Sequence, residues 1–282
     1  MFDDFAVIEL DIKSIKLDPL NPRLVNMPEP ISEDGIIQFL FAHHDLAGFL
    51  QKLAREGHNP AAEIPYVVAD GETYTVVEGN TRTAAYKLLT GVRTASADYA
   101  SLVPRISKER QDKFQKIRCS LAPNRDALLP IMANAHFGSG DKSRWGYLGS
   151  RKAVFDEYKR GRDISEIARI FQITESNIRE LIIEFALYNE ALKLSWTAAE
   201  KSKLQDPSVE FNPPVRFLQS SGHKSKVGIE YDRTNLQIKF KDAESRKKFR
   251  HLVKRLVIER TKGIGATASY EEVFADFNAS GS

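Results

Sequence analysis

The chain has one cysteine, Cys119, in 282 residues. That excludes an internal disulfide framework and a zinc site built from several thiolates. No apolar run approaches the ~20 residues of a membrane span, so no membrane partner is expected. The opening Met1-Phe2-Asp3-Asp4 is acidic, unlike the basic start of a signal peptide. A cytoplasmic location follows as the default. Strong net charge is also missing: the total is +3 and the pI about 8.8, a balance that neither demands nor forbids nucleic acid. What is present, 42% hydrophobic and 28% charged residues, is enough for two or three small domains.

The pattern along the chain predicts an α+β protein in three parts. Residues 1–125 read as mixed α/β, 126–204 as all-helical, and 205–282 as a small hairpin-plus-helix unit. In the first part, Val7 to Ile15 and Tyr74 to Val77 alternate as strands, with Asp70-Gly71-Glu72 as a hairpin turn. Helices are expected at Ile36–Phe41, Leu46–Ala54 and Thr83–Leu89, with Gly57 as a stop. Ile106 to Cys119, bracketed by Pro104 and Pro123, is expected to be a helix. In the last part, Val227–Asp232 and Leu236–Phe240 read as a hairpin, and Asp242–Glu259 as a basic helix. Lys and Arg are dense over 144–162 and 239–260, though Asp and Glu are interleaved in both.

The densest chemistry lies where a β-branched run, Tyr74-Thr75-Val76-Val77, passes through Glu78-Gly79-Asn80-Thr81-Arg82 into an alanine- and leucine-rich helix. First-turn NH groups are unpaired and carry the positive end of the helix dipole. Glycine lets a ligand approach the main chain, and arginine supplies a charged fork. Together they form a phosphate cradle, or else an ordinary strand-to-helix turn with Arg82 in solvent. Upstream stand Ile12-Lys13-Ser14-Ile15, Asn21-Pro22-Arg23, a helix ending at Gly57-His58-Asn59-Pro60, and Ile64-Pro65-Tyr66-Val67-Val68. This order resembles the N-terminal domain of the ParB/sulfiredoxin superfamily, with an insertion from about Leu24 to Asp45.

The resemblance implies binding of a nucleoside triphosphate, CTP or ATP, with Mg2+ as companion ion. It implies nucleotide contacts from Gly57, His58, Asn59, Glu78, Gly79, Asn80, Thr81, Arg82 and Asn134, with Asn134 and Glu78 as the metal side. In that family an acidic residue precedes the asparagine, where this chain has Ala133. This puts magnesium coordination and hydrolysis in doubt, so enzyme activity stays open, a slow nucleoside triphosphatase or a nuclease at most. Asn80 stands where sulfiredoxins carry their nucleophilic cysteine, which argues against peroxiredoxin repair. Among His43, His44, His58 and His136, none has metal-ligand spacing with a partner. Gly138-Ser139-Gly140-Asp141-Lys142-Ser143 fails the spacing of a Walker loop.

In the helical part, Asp163-Ile164-Ser165-Glu166 has capping-box spacing and opens a helix through Phe171. After Gln172-Ile173, Thr174 is placed to cap a second helix reaching about Leu187. Two helices joined by about three residues, with Ala168 on the inner face of the first, match a helix-turn-helix or a common core helix pair. Gln172 sits where glycine is usual, so it must reach a left-handed conformation at some cost or the turn differs. On the first reading the second helix meets DNA with Thr174, Ser176, Asn177 and Arg179, while Arg144, Lys159 and Arg160 contact the backbone. The leading expectation is a ParB-like homodimer that binds nucleotide and DNA, as a nucleotide-gated clamp or regulator. A nuclease or nucleotide-dependent phosphotransferase on the same fold is one alternative, and a transcriptional regulator with a vestigial ParB-like domain another.

Overall fold

A computed structural model describes residues 5–58, 64–137, 145–232, 234–260, 265 and 267–277. The protein is α+β, and its chain divides into two compact units, Met1–Ala135 and His136–Ser282. Residues 136–204 and 205–282, read apart in the sequence, pack into one unit. The buried Tyr188 ring meets Phe211 edge-on at 5.3 Å, and its hydroxyl donates to the Leu204 carbonyl at 3.0 Å. No helix among the described residues is long and apolar enough to cross a membrane.

The first unit holds β1 (Ala6–Asp11), β2 (Ile15–Leu17), α1 (Glu33–His43), α2 (Leu46–Glu56), β3 (Tyr66–Asp70) and β4 (Thr73–Glu78). It continues with α3 (Asn80–Leu89), α4 (Lys108–Phe114) and β5 (Lys116–Ala122), and α5 (Arg125–Phe137) runs on past its end. The five strands form a mixed sheet in the order β1-β5-β3-β4-β2. β1–β5 and β3–β4 are antiparallel, and β5–β3 and β4–β2 parallel. The hairpin at Gly71 forms as expected, with Asp70 opposite Thr73. α3 is buried from Thr83 to Leu89, as befits a helix enclosed on most sides. Its one interior cation, Lys87, meets Glu33 of α1 at 3.1 Å, and the same carboxylate accepts the Leu17 NH at 2.8 Å.

Two expectations in this unit are corrected. Val7 to Ile15 is not one strand. The Asp11 carboxylate accepts the Lys13 NH at 3.0 Å, which winds Ile12–Ser14 into a 3-10 turn and sends the chain to a different sheet position. Ile106–Cys119 is not one helix either. Ser107 caps only the short α4, and residues 116–119 then alternate exposed and buried, the two-residue period of a strand. Pairing to both β1 and β3 outweighs local helix preference there.

The second unit holds α6 (Gly146–Lys159), α7 (Ile164–Phe171), α8 (Glu175–Leu192), α9 (Ala198–Gln205), α10 (Asn212–Phe217) and α11 (Ser221–Val227). Then come β6 (Ile229–Asp232), β7 (Gln237–Phe240), α12 (Ala243–Val253) with a π-helical continuation over Lys254–Ile258, and α13 (Tyr270–Phe274). The expected hairpin is present but shorter. Val227 belongs to α11, Gly228 ends that helix in the left-handed region, and Leu236 lies in the turn at φ 50. The expected capping box at Asp163 does not form. Its side chain makes no cap hydrogen bond, and Glu166 instead accepts from Arg162 at 2.6 Å, a charged donor that outcompetes a backbone NH.

Cys119 is fully buried on β5, and burial pushes its thiol up to about 12. Since the thiolate is the reactive form, an aromatic disulfide reagent is expected to modify the native chain at least about 100-fold more slowly than the urea-unfolded chain. Equal rates in a stopped-flow absorbance assay would contradict this placement.

Candidate functional site

The junction of β4 and α3 turns on Gly79. Its φ of 104 and ψ of 21 are left-handed. A Cβ there would stand 3.1 Å from the Pro65 Cβ and 3.2 Å from its Cα. Both constraints demand glycine. Gly79 is the N-cap of α3, and no side chain caps this helix. The first-turn NH groups, which have no intrahelical acceptors, thus lack the usual side-chain oxygen. Thr81 and Arg82 are half-buried in this turn. Arg82 makes no hydrogen bond or ion pair among the described residues.

Asn80 is placed differently from the expectation. Its side chain is buried and turned inward. Its Oδ1 accepts the Asp18 NH at 2.9 Å, while its Nδ2 donates to the carbonyls of Val76 at 3.2 Å and Val77 at 3.4 Å. Asn80 can therefore offer a ligand its main-chain NH, not its amide.

His58 joins Arg82 from the end of α2. Its Nδ1 lies 2.7 Å from the Tyr86 hydroxyl, one helical turn beyond Arg82. Burial lowers the His58 pKa, and the charges of Arg82 and Arg118 lower it further. Tyr86 is buried and pushed up to about 12. Arg118, exposed on β5, is thus part of the same electropositive group. The expected helix over Ile106–Cys119 hid it; as part of the strand Lys116–Ala122 it lies beside Cys119 on the opposite face.

The other residues expected to contact nucleotide are less gathered. Gly57 ends α2 at φ 80, with its NH bonded to the Leu53 carbonyl at 2.9 Å, which is a helix stop in itself. Asn59 lies outside the described residues. Glu78 is half-buried and electrostatically paired with Arg23 of the Asn-Pro-Arg element. Asn134 is exposed near the end of α5, after the buried Ala133. No group of three or more His, Cys, Asp or Glu side chains able to hold a metal occurs among the described residues. His136 is buried and stacked on Trp145 at 4.4 Å, a core position in the second unit.

In the second unit, α7 and α8 are joined as a helix-turn-helix requires. Gln172 takes the left-handed conformation (φ 55, ψ 38), and the Ile173 NH bonds back to the Ala168 carbonyl at 3.1 Å. Thr174 caps α8 by accepting the Asn177 NH at 3.2 Å. Ile178, Ile182 and Phe185 are buried, and Thr174, Ser176, Asn177 and Arg179 are exposed. That face also carries acids. Arg179 pairs with Glu175 at 3.5 Å, and Asn177 shares a cavity of about 550 Å³ with Glu180, Glu184 and Arg151. Of the expected backbone contacts, Arg144 lies outside the described residues and Arg160 is paired with the buried Glu157 at 2.5 Å. Lys159 is exposed and meets no carboxylate among the described residues. Comparison with protein-family models and with curated proteins finds no match.

The histidines make stability depend on pH. Burial, then Arg23, then His43 lower the pKa of His44 from 6.5 to about 4. The unfolded chain therefore binds its proton first. Stability from neutral His44 is present above pH 6.5 and is lost as pH falls toward 4. The urea midpoint is expected to drop between pH 7 and pH 5, and less so in His44→Gln, as read by circular dichroism. Identical pH profiles for the two proteins would show that other groups set the acid limb.

Proposed function

We propose that this chain is a ParB-like protein that binds a nucleoside triphosphate, CTP or ATP, in its first unit and DNA in its second. The observation that carries the reading is the open start of α3: a left-handed glycine N-cap, no capping side chain, and Arg82 without a partner among the described residues. Backbone NH groups at an uncapped helix start with an arginine in the same turn are a phosphate-binding combination. His58 and Arg118 add to the same positive region. Mg2+ would accompany the triphosphate in solution. The α7–α8 pair supplies the DNA reading, with Ser176, Asn177 and Arg179 as the exposed first-turn side chains. The same reading makes the protein a cytoplasmic homodimer in which nucleotide binding gates DNA binding.

Arg82→Ala is expected to weaken triphosphate binding by about 1.5–3 kcal/mol, the scale of a charge-assisted hydrogen bond. Isothermal titration calorimetry with CTP and ATP tests this, and unchanged affinity in a folded variant rejects the cradle.

For DNA, Arg179→Ala is expected to reduce discrimination between a selected site and a scrambled duplex by about 1–3 kcal/mol, the scale of a base-edge contact. If fluorescence anisotropy gives wild type and variant the same ratio of affinities, α8 is not the reading helix.

A further inference from the structure

The second unit separates its cations into two populations. Those on and before the helix pair are mostly consumed internally. Arg151 binds Glu184 at 2.6 Å, Lys152 binds Asp156 at 2.5 Å, and Arg162 binds Glu157 at 2.7 Å. Arg179 faces Glu175. The exposed face of α8 therefore offers little uncompensated positive charge to phosphates.

The charge lies further along the chain. Residues 221–260 contain twelve Lys or Arg against five Asp or Glu, a net of +7, whereas the whole chain sums to +3. The rest of the chain is thus net negative. Within this segment three arginines again serve the fold: Arg246 faces Glu190 at 3.6 Å, Arg250 faces Glu200 at 3.5 Å, and Arg255 holds Asp276 at 2.5 Å. Four lysines do not. Lys224, Lys241, Lys247 and Lys248 meet no carboxylate within salt-bridge distance among the described residues.

Three of these belong to one neighbourhood, where α11, the end of β7 and the start of α12 converge. The Lys241 NH donates to the Gly228 carbonyl at 3.0 Å, and Lys248 reaches the Lys226 carbonyl at 3.2 Å. Lys224 lies over the Tyr231 ring at 4.6 Å. Lys247 is exposed on α12 beside Lys248. The local acids are Asp242, which caps α12 through the Ser245 NH at 2.7 Å, Glu271, which pairs with Lys226 at 2.9 Å, and the exposed Glu244.

We infer that this lysine surface is where the second unit holds the phosphate backbone of duplex DNA, without reading sequence. The inference rests on the DNA reading above and relocates its electrostatic part from α6 to the hairpin and α12. Charge without apolar surface selects the partner. The large apolar side chains exposed among the described residues, Val7, Leu20 and Leu102, all lie in the first unit. A protein partner needs aromatic or aliphatic anchors for affinity, and a stable membrane anchor needs an apolar face as well as charge. A phosphate backbone requires neither, because counterion release supplies the affinity.

The test is anisotropy of the full chain on a labelled duplex of scrambled sequence, from about 50 to 200 mM salt. Wild type is compared with Lys224→Gln/Lys241→Gln/Lys248→Gln. A control, Lys13→Gln/Lys52→Gln/Lys116→Gln, removes as much charge from the first unit. Thermal melts establish that each is folded. The slope of log affinity against log salt is expected to fall by about 0.9 for each phosphate that is no longer neutralised, hence by about 2–3 in the first variant, and to be unchanged in the control. Wild-type binding with an unchanged slope in the first variant overturns this surface and leaves the DNA reading standing. No wild-type binding to any duplex at the lowest salt overturns both. Loss of binding to phosphatidylglycerol vesicles in the first variant, with duplex binding intact, assigns the surface to membranes and overturns the proposal.

Discussion

One carboxylate with almost no access to water organises the first unit. Asp18 is 1% exposed and is gripped by Arg125 through two hydrogen bonds of 2.9 and 2.7 Å. It also accepts the Leu20 NH at 2.9 Å and donates its own NH to Asn80. Removing one partner of such a buried pair costs about 3–5 kcal/mol, because a charge is left without compensation. The network ties the segment after β2, the start of α3 and the start of α5 to one point. It also explains why the cradle is open. Asparagine is a good N-cap, but here it sits one position too late, with its amide committed inward, and glycine takes the cap position. The same residue that stabilises the junction thereby leaves the first-turn NH groups without a side-chain acceptor.

Much of this was legible in the sequence because it depends on local rules. The Gly71 turn, the Gly57 stop, the passage from strand to helix at Gly79 and the Thr174 cap all follow from backbone preference within a few residues. What escaped depends on contacts distant in sequence. Residues 116–122 are a strand only because β1 and β3 flank them. The Asn80 Oδ1 is engaged inward by the NH of Asp18, 62 residues earlier. Arg118 was hidden by the first of these errors. At Asp163 and Glu166 the spacing was right for a reciprocal cap, but Arg162 stood within reach of Glu166 and a charged donor prevailed.

On the proposed function, the two units would rest anion recognition on different physics. At α3 the donors are mostly main-chain groups fixed by the fold, which need no reorganisation when an anion arrives and are insensitive to side-chain replacement, Arg82 excepted. In the second unit no such cradle is evident around α7 and α8 among the described residues. The exposed face of α8 carries Glu175 and Glu180 among its polar residues. A helix of that character can form hydrogen bonds with base edges but does not draw a duplex toward itself, so the proposed DNA binding requires attraction from elsewhere on the same unit.

The division of labour between arginine and lysine follows from this. A guanidinium is planar, weakly hydrated and forked, so it satisfies a half-buried carboxylate well, as Arg162 does between Glu157 and Glu166. An ammonium is strongly hydrated and gains little from leaving water unless a carboxylate meets it, as Glu33 meets Lys87, so Lys241, Lys247 and Lys248, which meet none among the described residues, stay in contact with solvent. Added salt acts unequally on these groups. Partly buried pairs such as Arg151 with Glu184, at 21% and 15% side-chain exposure, are screened weakly. Exposed lysines lose most of their attraction once the Debye length falls to about 8–10 Å. Under the proposed lysine surface, ionic strength would tune association of the second unit with a polyanion over a range in which its internal ion pairs, and so its fold, are little disturbed.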